Sequence, residues 1–187
     1  MKLYMRKYLV LSTLLVWSMA MMAQEPSILV NGKADSEDCR KWVEEKMSGM
    51  TLKEKIGQLF VHTVALQVTP QNKRNIQNAV KEYKVGGLLF SGGQLENQVN
   101  LTNFAQEMAE IPLLLTFDGE WGLSMRLKGT PTFPRNRVLG CIQDNTLLYE
   151  YGKEVARQCR EIGVHVNFAP VADVDNNPKN PVINTRS

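Results

Sequence analysis

Four short stretches of nearly unbroken apolar sequence do more than anything else to limit what this chain can fold into. They are "LFVHTVAL" from Leu59, "VGGLLFSGG" from Val85, "IPLLLTF" from Ile111 and "VHVNFAPVADV" from Val164. Between them run segments with helical spacing. "QNKRNIQNAVKEY" places Ile76, Val80 and Tyr83 on one face, and "QLENQVNLTNFAQEMAE" places Leu95, Val99, Thr102 and Met108 near one face. "NTLLYEYGKEVARQCREIG" does the same with Leu148, Tyr151, Val155, Cys159 and Ile162. Strands that are apolar on both faces are buried on both faces. Helices of 13 to 19 residues are long enough to carry the chain back over a sheet, so the strands pair parallel through right-handed crossovers. The fold class is α/β. Two architectures accommodate it, a doubly wound open sheet and a (β/α)8 barrel, and both build their sites outside the carboxyl ends of the strands.

The segments before the first strand have other signatures. Lys2, Arg6 and Lys7 precede the apolar run from Tyr8 to Ala23, which is the order of a signal peptide. Residues 1–23 are therefore expected to direct export to the periplasm or the extracellular space, with cleavage after Ala23. As a retained membrane anchor the run would be short of the roughly 20 residues a span needs. An N-terminal extension at 24–44 follows, helical from Glu37, with Trp42, Val43 and Met47 on one face. "TLKE" at Thr51 then has the form of a capping box opening a short helix.

Charge narrows the function classes. Without residues 1–23 the chain keeps 19 basic and 19 acidic residues, so its net charge is zero and it offers no electrostatic footprint for nucleic acid. Cys39, Cys141 and Cys159 form no C-x-x-C motif, and Cys159 reads as a small core residue. His62 and His165 stand far apart inside apolar runs, as core or strand-end residues rather than a metal pair. "DVDNNPKNP" has the start of a calcium loop but lacks its glycine and terminal glutamate. Neither G-x-G-x-x-G nor G-x-S-x-G occurs.

Polar residues gather where the strands end. The second run ends in "SGGQ", the third in "DGEWG", and the fourth in "PVADVDNNPKNPVINTRS". Asp118 and Glu120 as paired acid/base carboxylates would diverge, with one residue between them. A second reading makes Asp118 an acceptor for ligand hydroxyls, Arg126 a donor and Trp121 an apolar platform. A third is purely structural, with Asp118 capping a turn and Arg126 pairing with Glu120.

Together these stretches resemble the N-terminal barrel domain of glycoside hydrolase family 3. "MTLKEKIGQLF" is similar to the family's opening helix and "VGGLLF" with Ser91 to Gly93 to its second strand. "TFDGEWGLSMRL" resembles the D-x-E-G-G-x-x-x-R pattern of the β-N-acetylhexosaminidase branch, and "GVHVNFAPVADVDNNPKNPVINTRS" that branch's fourth-strand segment. Trp121 departs from the pattern, standing where the first glycine of E-G-G is usual.

The resemblance implies the N-terminal half of a (β/α)8 TIM barrel over residues 45–187. It implies a substrate rim in which Asp118 holds sugar hydroxyls and Arg126 and Arg186 donate to the same sugar, with Asp173 partly structural. The implied partner is a carbohydrate with a terminal β-linked N-acetylglucosamine or related sugar, with no metal or organic cofactor and no stable membrane anchor. The family's retaining mechanism uses an aspartate nucleophile and a second group in a K-H-F-P-G-H-G-D-like loop. Neither motif occurs in these 187 residues, so the chain as it stands is expected to carry part of the substrate pocket without hydrolysing. The alternatives are a β-glucosidase of the same family and a non-catalytic sugar-binding protein of the cell envelope.

Overall fold

A computed structural model describes residues 36–177 and 179–187. The expected leader at 1–23 and the start of the extension lie outside the described residues. The chain divides after Gly49 into two compact units. In the first, helix α1 (Glu37–Ser48) is capped by Ser36, whose hydroxyl accepts from the Cys39 amide at 3.2 Å, and Glu37 and Asp38 in its first turn complement the helix dipole.

The second unit, from Met50, carries the sheet. It opens with α2 (Leu52–Gly57), where the expected capping box is present. Thr51 Oγ1 accepts from the Glu54 amide at 3.3 Å, and Glu54 Oε2 accepts from the Thr51 amide at 2.8 Å. Five parallel strands follow: β1 (Val61–Leu66), β2 (Gly87–Gln94), β3 (Leu114–Phe117), β4 (Leu127–Lys128) and β5 (Val166–Asn167). The helices between them are α3 (Pro70–Gln77), which widens into a π turn over Asn78–Glu82, α4 (Leu95–Met108), the short α5 (Asn136–Leu139) and α6 (Asn145–Glu161).

The sheet order is β1-β2-β3-β5, with β4 beside the end of β2. Each crossover thus adds its strand on the same side as the last. A doubly wound sheet reverses direction at its switch point. The order here never reverses, and it is that of a barrel wall.

Register explains where the core sits. Val64 pairs with Phe90, and Leu88 with Leu115, so these side chains share one face of the sheet. With Phe117 they are at most 1% exposed, sealed by Ile76 and Val80 from the α3 region, Leu101 and Ala105 of α4, and Val155 and Cys159 of α6. Burial pushes the Cys159 thiol above its ordinary pKa, as suits an unreactive core residue. The opposite row runs Thr63, Leu89, Thr116, Val166, and above it Val61 and Leu114 are 41% and 44% exposed.

Two expected strands come out shorter. β1 begins at Val61 because the Leu59 and Phe60 amides close the turn leaving α2, at 3.0 Å to Ile56 O and 2.9 Å to Gly57 O. The fourth expected strand, 164–174, keeps only Val166–Asn167. Pairing reaches Phe168, whose amide donates to Phe117 O at 2.8 Å, and then meets Pro170, which has no donor. The second expected strand keeps "SGG" inside it, as β2 runs on to Gln94.

Candidate functional site

Asp118 is the first residue beyond β3, and the loop it opens is held from several directions. The Asn167 side chain of β5 grips Gly119 both ways, its Oδ1 accepting from the Gly119 amide at 2.9 Å and its Nδ2 donating to the Gly119 carbonyl at 3.1 Å. Gly122 sits at φ +85°, ψ −173°, a region that only glycine occupies freely. Then a 3-10 turn over Leu123–Met125 folds the chain back.

That return brings Arg126 to the end of β2. The Gly93 amide donates to Arg126 O at 2.8 Å, and Leu127 pairs with Gly93. Side chains would not fit here. A Cβ on Gly92 would lie 3.1 Å from Arg126 O, and one on Gly93 2.4 Å from the Leu66 Cβ. Gly92 therefore admits the returning loop, and Gly93 the close approach of β1. Delivered there, Arg126 Nη2 pairs with Asp118 Oδ2, and Nε donates to the Asp118 carbonyl at 3.3 Å. Both side chains stay about one-third exposed, at 36% and 32%.

The last described turn, Asn184–Arg186, brings in the third expected residue. Arg186 Nε donates to Glu120 at 2.9 Å and 3.1 Å to its two oxygens, and Nη2 donates to Oε1 at 2.5 Å. The Glu120 side chain is only 4% exposed. The hydrogen bonds to Glu120, followed by the negative charges of Glu120, Asp118 and Asp173, raise the already high pKa of the Arg186 guanidinium. Two further arginines pin this turn: Arg135 donates to Thr185 Oγ1 at 2.7 Å, and Arg137 to Asn184 Oδ1 at 3.1 Å. Arg137 also pairs with Asp175 at 2.8 Å, and the Arg135 guanidinium lies 4.7 Å over the Trp121 ring. Asp173 takes part through its carbonyl, which accepts from Ser187 Oγ at 3.2 Å.

Asp118, Arg126 and Arg186 thus gather around one loop outside the carboxyl end of β3. Of the readings left open by the sequence, the Arg126–Glu120 pair does not form; Arg126 turns to Asp118, and Glu120 to Arg186. Alternation gave no signal for this, since residues two apart in extended chain share a side, yet Asp118 is half-buried and Glu120 buried. Asn167, a lone amide inside an apolar run, was a signal for the clamp on Gly119. Among the described residues no group of three or more His, Cys, Asp or Glu is arranged to hold a metal ion. His165 instead serves the strand end, its Nδ1 accepting from the Leu115 amide at 2.9 Å.

Asp118 Oδ1 and Arg186 Nη1 make no hydrogen bond among the described residues. A carboxylate oxygen and a guanidinium nitrogen left without such bonds offer an acceptor and a donor, the pair that a ligand rich in hydroxyl groups requires.

A profile of the glycosyl hydrolase family 3 N terminal domain matches residues 51–187. The chain is 31% identical over 144 residues to the β-hexosaminidase LpqI of Mycobacterium tuberculosis, covering 72% of this chain and 34% of that protein. It is 25% identical over 151 residues to a β-N-acetylglucosaminidase/β-glucosidase of Cellulomonas fimi, covering 81% of this chain and 26% of the relative. Among solved structures, a glycoside hydrolase family 3 β-N-acetylglucosaminidase from Paenibacillus sp. superposes with a TM-score of 0.63 at 32% identity, over 74% of this chain and 27% of that one. The chain therefore spans between about a quarter and a third of the length of these proteins.

Proposed function

The chain belongs to glycosyl hydrolase family 3, over that family's N-terminal domain, and from this premise we propose that residues 50–187 form the sugar-holding rim of a β-N-acetylhexosaminidase-type glycosidase. Its partner is a carbohydrate ending in a β-linked N-acetylglucosamine or a related sugar. Asp118 accepts from ring hydroxyls, and Arg126 and Arg186 donate to the same sugar. The observation that carries this reading is the convergence of Arg186, from a distant segment of the chain, on the loop after β3 that carries Asp118 and Arg126.

In the retaining reaction of the family, cleavage needs an aspartate nucleophile and a second group acting as acid and then base. The rim orients the sugar for that attack, and its charged, partly screened groups hold the hydroxyls before and during it. The 187 residues carry the holding function without hydrolysis. Export on residues 1–23 would place the protein where such carbohydrates lie outside the cytoplasm.

A second reading, a β-glucosidase of the same family, is favoured by the double name of the Cellulomonas fimi relative. Saturation-transfer NMR with nitrophenyl N-acetyl-β-glucosaminide and nitrophenyl β-glucoside separates the two. Strong transfer to the acetylated glycoside, with no nitrophenol released, is expected. Preference for the glucoside favours the second reading, and nitrophenol release above a blank refutes holding without hydrolysis.

A further inference from the structure

Glu120 is the least exposed charged group of this rim, and its setting assigns it a task. Burying a carboxylate costs several kcal/mol unless a cation is bonded to it in good geometry. Among the described residues the cation hydrogen-bonded to Glu120 is Arg186, 66 residues further along the chain. The contact uses one edge of the guanidinium, Nε and Nη2, in a fork against both carboxylate oxygens. An arginine held by that edge has both N–H bonds of Nη1 left over.

The loop on the other side of the contact is equally fixed. The Glu120 carbonyl accepts from Tyr151 Oη at 3.2 Å, and its amide points to Met125 Sδ at 3.3 Å. Tyr151 belongs to α6, and its ring meets Phe133 edge to face at 5.0 Å. The carboxylate is thus mounted on a backbone anchored to a helix, and the Arg186 guanidinium is mounted on the carboxylate. Asp118, two residues earlier, is not spent on this contact, because Arg126 engages its other oxygen.

Resting on the sugar-holding reading above, we propose that Glu120 is the positioning residue of the rim: it holds Arg186 by one edge so that Nη1 faces the ligand beside Asp118. Glu120 itself does not touch the sugar. Glutamine in its place keeps the size but loses the charge and puts an amide donor against guanidinium donors. Arg186 would then swing free on its turn.

Two measurements test this. The first needs no ligand: the Arg186 Nε–H proton in an NMR spectrum of the chain. A resolved, exchange-protected signal that is lost in Glu120→Gln while the amide spectrum stays folded is expected. An Arg186 Nε–H that exchanges as freely as those of exposed arginines in the unmutated chain overturns the inference, whatever the ligand does. The second is calorimetric titration with nitrophenyl N-acetyl-β-glucosaminide of the unmutated chain, Glu120→Gln, Arg186→Lys and the double variant. Each single change should weaken binding about tenfold, and the double variant should be no weaker than either single one. Additive losses, or Glu120→Gln binding like the unmutated chain while Arg186→Lys is weakened, overturn the positioning role but leave the sugar-holding reading intact. No saturable binding by the unmutated chain sinks the sugar-holding reading, and the proton measurement then decides whether Glu120 orients Arg186.

Discussion

Replacing Gly122 by alanine should be one of the most damaging single-methyl changes in this chain. Gly122 stands at φ +85°, ψ −173°, and a residue with a Cβ held in that region costs about 1–3 kcal/mol. The added Cβ would also lie 2.8 Å from Phe133 Cδ2 and 3.2 Å from Cε2. Phe133 cannot simply retreat, because its ring packs edge to face on Tyr151 at 5.0 Å. Forcing extra volume into such packing costs about 1–3 kcal/mol more. The sum, about 2–6 kcal/mol, is a large part of the roughly 5–15 kcal/mol that holds an ordinary domain together. Gly129→Ala is the matched control. Gly129 has φ +80°, and a Cβ there would meet nothing within 4 Å, so only the backbone cost of about 1–2 kcal/mol applies. Urea unfolding followed by far-UV circular dichroism gives both values. A Gly122→Ala chain within about 0.5 kcal/mol of the Gly129→Ala chain would refute the claim that the loop carrying Glu120 is packed against Phe133.

Three further changes probe the supports of the site. Asn167→Ala removes both bonds to Gly119 and should cost about 1–3 kcal/mol, with faster hydrogen exchange at the Gly119 amide; unchanged exchange would show that the side chain does not clamp the loop. Gly93→Ala places a Cβ 2.4 Å from the Leu66 Cβ, so it should part β1 from β2, displace Arg126 and weaken sugar binding, and a chain that binds normally would contradict the close approach. On α6, hydrogen bonds from Arg157 and then Gln158 hold the Glu154 carboxyl down at about 2. Because its folded pKa lies below the ordinary value of 4.5, this contribution to stability is fully present above that value and is lost as pH falls through about 2. A carbon-13 titration of the Glu154 carboxyl with a midpoint near 4.5 would show that the exposed pair is not formed in solution.

Much of the fold was legible because the relevant signals are local. Period and length identified α6, whose Tyr151, Val155 and Cys159 do face the core, and Thr51 with Glu54 marked the start of α2. Composition was less informative about where strands stop, since apolar residues continue past the last ladder bond. "VHVNFAPVADV" keeps its apolar character to Val174, yet the sheet releases it once Pro170 offers no amide. β4 was hidden for the opposite reason. It is two residues in a polar loop, held by pairing with Gly93 and Gln94 where Gly92 lets Arg126 approach, rather than by its own propensity. At the site, Asp118 and Arg126 lie eight residues apart and could be suspected as partners from the loop alone. Glu120 and Arg186 lie 66 apart, and no periodicity links positions joined only by the closing of the fold. The resemblance supplied Arg186 as a candidate; the partner that holds it came from the structure.

The most direct test of the account is a crystal structure of the chain with N-acetylglucosamine bound. The account predicts the pyranose outside the carboxyl end of β3, its hydroxyls on the Asp118 carboxylate and on the guanidinium groups of Arg126 and Arg186, with Glu120 still closed on Arg186 behind it. Sugar seated elsewhere, such as the groove that α6 forms with Asn167, Ala169 and Pro170, or a sugar-bound rim in which Asp118 makes no contact, would contradict it.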